Sequence, residues 1–103
     1  MNVIKRSLVL DKDTTFDDDL MVIGQIIGPK HTLTVKGSLI CIASGNRGTI
    51  IVKNLDVSEV VHSGAVIARR ASASEFFGET LVAREINGKT DGMAYIEKVD
   101  ECL

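Results

Sequence analysis

The sequence predicts an all-β protein, a short single-stranded parallel β-helix of about six coils, and three observations carry that expectation. Apolar residues recur two positions apart in seven blocks: Leu8/Leu10, Leu20/Val22, Leu33/Val35, Ile50/Val52, Val66/Ala68, Leu81/Ala83 and Ala94/Ile96. The first residues of these blocks lie 12, 13, 17, 16, 15 and 13 positions apart, too close for helical-hairpin repeats and near one turn of a β-coil. Helical periodicity is poor throughout, and the best helical stretch, Ser72 to Phe77, is too short to stand without packing support. A single proline in 103 residues leaves long hydrogen-bonded ladders unbroken.

Strand side chains alternate, so the first and third residues of each block point inward and the second and fourth outward. A second strand follows in most coils, with inward candidates Ile26, Leu39 and Cys41, Leu55 and Val57, Ala71 and Ala73, and Ile86. Gly24, Gly37, Gly64, Gly78, Gly88 and Gly92 fall near corners, where tight bends are needed. The small Ala71 and Ala73 opposite Phe76 and Phe77 imply that large and small side chains alternate through the core. An antiparallel sandwich or barrel also shows regularly spaced short strands, but it asks for hairpin turns, and only Asn87-Gly88 and Asp91-Gly92 qualify. The chain reads as one domain, residues 1–103, with 1–7 and 97–103 as end caps.

The blocks Val22-Ile23-Gly24-Gln25-Ile26-Ile27-Gly28 and Val35-Lys36-Gly37-Ser38-Leu39-Ile40 resemble the glycine-punctuated coils of bactofilin-type polymer-forming proteins. That resemblance spans roughly residues 20–92 by pattern and implies a right-handed coil. Ala68-Arg69-Arg70 and Ala83-Arg84-Glu85 lack the glycine at the matching place, a departure that bears on filament formation more than on the fold.

Composition narrows the class. With 45% hydrophobic and 25% charged residues and a formal charge of −2, the chain is globular and has no global attraction to nucleic acid. Aromatics are 4% and tryptophan is absent, so the core is aliphatic. Cys41 and Cys102 form no CxxC pair and read as free thiols in a reducing compartment. Lys5 and Arg6 precede an apolar run that Asp11, Lys12 and Asp13 end too early for a signal peptide. No run approaches ~18 apolar residues, so no membrane span is expected, and the location is read as cytoplasmic.

Stacked coils turn sequence positions into vertical ladders. The outward second residues are Val9, Met21, Thr34, Ile51, Ile67, Val82 and Tyr95, six of them apolar. So large an aliphatic strip points to contact with another chain, most simply a two-fold homodimer. Met21, Ile51, Ile67, Val82 and Tyr95 are then the interface, with Tyr95 as its anchor. A covering loop or tail, or burial on both faces, would also account for the strip. The outward fourth residues Lys36, Lys53, Arg69 and Arg84 form a basic ladder. It serves either as a solvated face that resists aggregation or as a contact for an acidic protein partner. No aromatic interleaves with these bases, so nucleic acid is not the expected partner. Carboxylates at Asp11, Asp13 and Asp17 to Asp19, and an acidic end from Glu97 to Leu103, blunt both ends and favour a bounded oligomer over an open polymer.

The motifs that suggest chemistry fail on inspection. Asp11, Asp13 and Thr15 imitate the start of a calcium loop, but Phe16 and Val22 stand where glycine and glutamate are required. Gly45-Asn46-Arg47-Gly48 matches a Gly-x-x-Gly clamp without its two helices and reads as an exposed glycine turn, with Arg47 a contact residue. His31 and His62 lack metal-ligand spacing, and Ser58 four residues before His62 is no triad. Catalytic, cofactor and metal residues are therefore all expected to be none. The expected function is a non-enzymatic protein-interaction and assembly module that self-associates through the apolar ladder. The alternative is a small inhibitor or adaptor docking on a larger protein or nucleoprotein complex through the basic ladder. An acyltransferase on a left-handed helix is disfavoured because hexapeptide phasing is absent.

Overall fold

The computed structural model describes residues 1–28 and 30–99. Cys102 and the rest of the acidic C-terminal segment from residue 100 lie outside the described residues. Eight strands form one parallel sheet that winds into a solenoid: β1 (Asn2–Ile4), β2 (Leu8–Val9), β3 (Thr14–Phe16), β4 (Leu20–Val22), β5 (Gln25–Gly28), β6 (Thr32–Cys41), β7 (Ala43–Val57) and β8 (Val60–Lys98). The described residues are all-β and form no barrel, and the solenoid makes about 4 turns where about six coils were expected. Ser72 to Phe77 is strand, part of β8.

Each coil has three sides, which the pairing separates cleanly. On the first side Val3, Met21, Ile40, Asp56 and Ser72 stack outward. On the second, Val9, Ile27, Gly45 and His62 do so, and on the third Thr15, Thr34, Ile51 and Ile67. The coils shorten along the chain: Thr14 pairs with Leu33, Leu33 with Ile50, and Ile50 with Val66, steps of 19, 17 and 16 residues. Within β8 the step is 15, as the contacts of Gly78 with Ser63 and of Gly88 with Ala73 show. The Val99 amide donates to the Ala83 carbonyl, which by parallel pairing sets Glu97 opposite Val82 and Tyr95 opposite Thr80.

Inward residues make one continuous aliphatic core. Leu33/Val35, Ile50/Val52, Val66/Ala68 and Leu81/Ala83 are all buried on the third side, as the block pattern predicts. The expected inward residues Ile26, Leu39, Cys41, Leu55, Val57, Ala71 and Ala73 are buried too, while Ile86 packs half-buried against the core. Size compensation operates in the narrow coils: Phe76 is 0% exposed in the same coil as Ala71 and Ala73. Phe77 is its outward neighbour, half-buried on the surface, rather than a second core aromatic.

Three block assignments change, the last being Ala94/Ile96, where Ile96 and not Ala94 stands opposite Leu81 and Ala94 is exposed. Leu8/Leu10 belongs to the second side, where Leu8 pairs with Ile26, and Leu20/Val22 to the first, where Leu20 pairs with Leu39. The third-side strand of the first coil is Thr14–Phe16, whose threonines hide it from an aliphatic pattern. The spacings of 12 and 13 early in the chain are thus steps between sides of one coil. Residues 2–4, expected within an N-terminal cap, occupy a rung of the sheet beside Leu20 to Val22.

The corner between the second and third sides is held by buried polar groups. Asn46 is 0% exposed; its Nδ2 donates to the His31 carbonyl at 3.4 Å and its Oδ1 accepts from the Gly48 amide at 2.8 Å. Ser63 Oγ donates to the Gly48 carbonyl at 3.3 Å or to that of Ala65 at 3.1 Å. These bonds satisfy backbone groups that the register shift between Asn46 and Thr49 withdraws from the ladder. Gly45 to Gly48 is consequently inside β7 and not the exposed turn expected from its glycines.

Candidate interaction surfaces

The third side carries three outward columns that lie next to one another along each strand. The first is Thr32, Thr49 and Ala65, continued by Thr80 at the step of 15; the Thr32 amide at its foot donates to Asp13 Oδ1 at 2.9 Å. The second is Thr15, Thr34, Ile51 and Ile67, continued by Val82 at the same step. The third is basic. Lys36 follows the pair Val35 and Val52, Lys53 and Arg69 fall between the pairs Val52 with Ala68 and Asn54 with Arg70, and Arg84 lies one step further.

The predicted interface is therefore divided. Ile51, Ile67 and Val82 share one column and are half-buried against their neighbours. Met21 sits on the first side between Val3 and Ile40, and Val9 on the second beside Ile27. Tyr95 faces outward on the third side in the threonine column, 54% exposed, and its hydroxyl donates to Glu97 Oε2 at 3.3 Å. Lys36, Lys53, Arg69 and Arg84 occupy one outward column on successive coils. Lys36 Nζ lies 3.4 Å from Asp17, whereas Lys53, Arg69 and Arg84 have no carboxylate within 4.0 Å among the described residues. Between the aliphatic and basic columns runs a depression of about 330 Å³ lined by Thr34, Val35, Lys36, Ile51 and Lys53.

The aliphatic pattern missed the second side. Its outward column runs Val9, Ile27, Gly45 and His62, then Phe77, whose ring stacks on the His62 imidazole with centroids 4.6 Å apart and planes 9° from parallel. Val9 and Ile27 are 62% and 41% exposed, and Ile23 and Ile42 are exposed at the adjoining corner. A depression of about 340 Å³ opens between Gly45, Arg47, His62, Phe77 and Glu79. A glycine and a histidine interrupt this column in the sequence, so no run of aliphatic residues announces it.

Two titratable sites among the described residues have shifted pKa values. Burial, with the Asp56 carboxylate adding to it, pushes the Cys41 thiol up to about 12, which leaves it protonated and inert at neutral pH. Asp18 accepts a 2.7 Å hydrogen bond from the Met1 ammonium, which lowers the Asp18 pKa and raises that of the amine. His31 Nδ1 is 3.6 Å from Asp13, and among the described residues no group of three or more His, Cys, Asp and Glu could hold a metal ion. No helix of the described residues is long and apolar enough to cross a membrane. Comparison with protein-family models, curated proteins and solved structures finds no match to this chain; the parallel solenoid is compatible with the β-helix resemblance and does not confirm a bactofilin.

Proposed function

We propose that this chain is a non-enzymatic protein-interaction and assembly module that pairs with a second copy of itself through the third side. The observation that supports it is the outward column of Ile51, Ile67 and Val82 on three successive coils. A regular column of half-buried aliphatic side chains on an outward face is a surface that a partner chain can finish covering. Its size sets the geometry. The largest projected face of the molecule, 30 Å by 23 Å, is about 700 Å², near the ~800 Å² each partner gives to a standard interface. The whole side must therefore take part, basic column included. A two-fold axis parallel to the coil axis keeps the aliphatic columns facing each other and sets each basic column against a threonine column, avoiding like-charge contact. Tyr95 and Glu97 of one copy then come within a rung of Arg84 of the other.

End-to-end growth of the bactofilin kind is the other assembly mode that the resemblance raises. The exposed Asp11, Asp13, Asp17 and Asp18 crowd the first coil with carboxylates, which supports a bounded dimer instead. A cytoplasmic location belongs to the same proposal. Sedimentation velocity tests it: Ile67→Asp is expected to leave the β-spectrum unchanged and convert dimer to monomer, with the wild-type dimer tolerant of salt. An unchanged sedimentation profile would remove the seam.

A second reading has its own support in Lys53, Arg69 and Arg84, which have no carboxylate within 4.0 Å among the described residues. Those three cations suit an acidic face of a larger protein, the adaptor role. Binding of that kind falls steeply with salt and is lost on reversing Lys53 and Arg69 together, whereas the dimer seam is not salt-driven.

A further inference from the structure

We propose that the notch at Gly45 on the second side is a binding site for an aromatic side chain of a protein partner, with a neighbouring carboxylate of that partner pairing with Arg47. Gly45 is set apart from the other glycines. A Cβ built on each of the other eight meets an atom at 3.0 Å or closer, whereas at Gly45 nothing among the described residues lies within 4 Å. Its φ is not positive either. The fold thus has no use for a glycine here, and a glycine inside a strand costs roughly 0.5–1 kcal/mol relative to alanine. What the missing side chain does is keep a rung of the outward column empty.

The empty rung has the shape of a ring. Ile27 and His62 flank it on the coils before and after, two strand spacings or about 9.6 Å apart, which leaves room for one flat side chain between them. Phe77 covers one face of the His62 imidazole, so the other face looks onto the notch. A ring seated there would extend the stack of Phe77 and His62 by one member at the ~4.5–7 Å centroid spacing that aromatic pairs favour. Arg47 lies on the same strand as Gly45, lines the same depression, and has no carboxylate within 4.0 Å among the described residues. Glu79 lines the far end of the depression, beside Phe77, two coils from Arg47, so the charge nearest the ring is positive. The notch is open to solvent and holds a ring rather than a whole small molecule. Exposed Val9 and Ile27 continue the apolar column beyond it, which fits a polypeptide laid across the coils. This site is on a different side from the proposed dimer seam and stands without it.

The chain lacks tryptophan, so indole fluorescence reports only an added probe. Titration of the blocked peptide acetyl-Leu-Trp-Asp-amide is expected to give a saturable change. Gly45→Leu fills the notch and should weaken binding at least tenfold while the thermal transition is kept. Arg47→Gln should weaken it about threefold to tenfold, and His62→Ala, which removes the exposed stacking face, by a similar factor. Absence of saturable binding to the wild-type protein, or affinity within twofold in both Gly45→Leu and His62→Ala, overturns the site. Equal affinity for acetyl-Leu-Ala-Asp-amide, followed by amide NMR shifts, overturns the aromatic occupant. N-acetyltryptophan binding as tightly as the peptide overturns the polypeptide.

Discussion

Two alanine substitutions three residues apart in β7 separate stacked coils from any looser arrangement. At Gly48 an added Cβ would fall on the His31 carbonyl oxygen, with the His31 N and C atoms both at 2.8 Å. Those are backbone atoms of the coil below and cannot rotate away, so the coil itself must shift. Overpacking of this kind costs about 1–3 kcal/mol and sometimes more, and the Gly48 amide also donates to Asn46, so the upper end, ~3 kcal/mol, is expected. At Gly45 the same methyl meets open space, and the reduced entropy of the unfolded chain should stabilise by ~0.4–1 kcal/mol. For a domain of about 100 residues each kcal/mol moves Tm by roughly 4–8 °C. Gly48→Ala should therefore lower Tm by on the order of 10–20 °C, and Gly45→Ala should raise it by a few degrees. Thermal melts followed by circular dichroism at 215 nm, a general β-sheet wavelength, with urea titrations beside them, measure both. Shifts of the same sign in the two variants would refute the reasoning, because only the coil below Gly48 distinguishes them.

Other expectations follow from the core and from titration. Phe76→Ala empties the largest buried side chain in a coil whose first-side inward residues are the alanines Ala71 and Ala73, and should cost ~3–5 kcal/mol in urea unfolding, while Phe77→Ala should cost far less. In a Cys102→Ser background, alkylation of Cys41 at pH 8 should proceed only through unfolding, since a thiol at about 12 holds roughly a thousandth of the thiolate of an ordinary one. The proton that the folded state keeps on Cys41 also means that stability falls as pH rises from 9.0 toward about 12. The Met1 and Asp18 pair contributes fully between 3.8 and 8.0, the ordinary values of its members. It fades as pH falls through the lowered carboxyl pKa or rises through the raised amine pKa, a window that NMR titration of both groups can check.

The sequence makes the third and first sides legible because their inward residues are aliphatic from Leu20 to Ala83, save for Cys41. Leu33/Val35, Ile50/Val52 and Leu39/Cys41 announce strands and their facing directly. The second side was illegible for a physical reason. Its inward positions run Ile26/Gly28, Ser44/Asn46 and Val61/Ser63, where Asn46 and Ser63 bond to backbone in place of the aliphatic packing found elsewhere. Without that side, three sides read as two, which aligns Met21 and Val9 with Ile51 in one column. Tyr95 was displaced for a smaller reason. The closing block matches Leu81/Ala83 at a spacing of 13, but the coil closes at 15, which sets Ile96 rather than Ala94 opposite Leu81. The basic column was legible because charged residues at the exposed end of each third-side strand keep a constant distance from its aliphatic pair. The Gly45 notch was not, since an empty position carries no pattern.

Stacking in parallel and in register is the claim on which both surfaces rest, and nuclear Overhauser contacts among Thr34, Ile51 and Ile67 test it most directly. Each should show amide-to-Hα contacts to its neighbour in the order Thr34, Ile51, Ile67, with none of the close Hα-to-Hα pairs of antiparallel strands. Strong Hα-to-Hα contacts between any two of these strands, or contacts shifted by one residue, would contradict the solenoid and dissolve both columns.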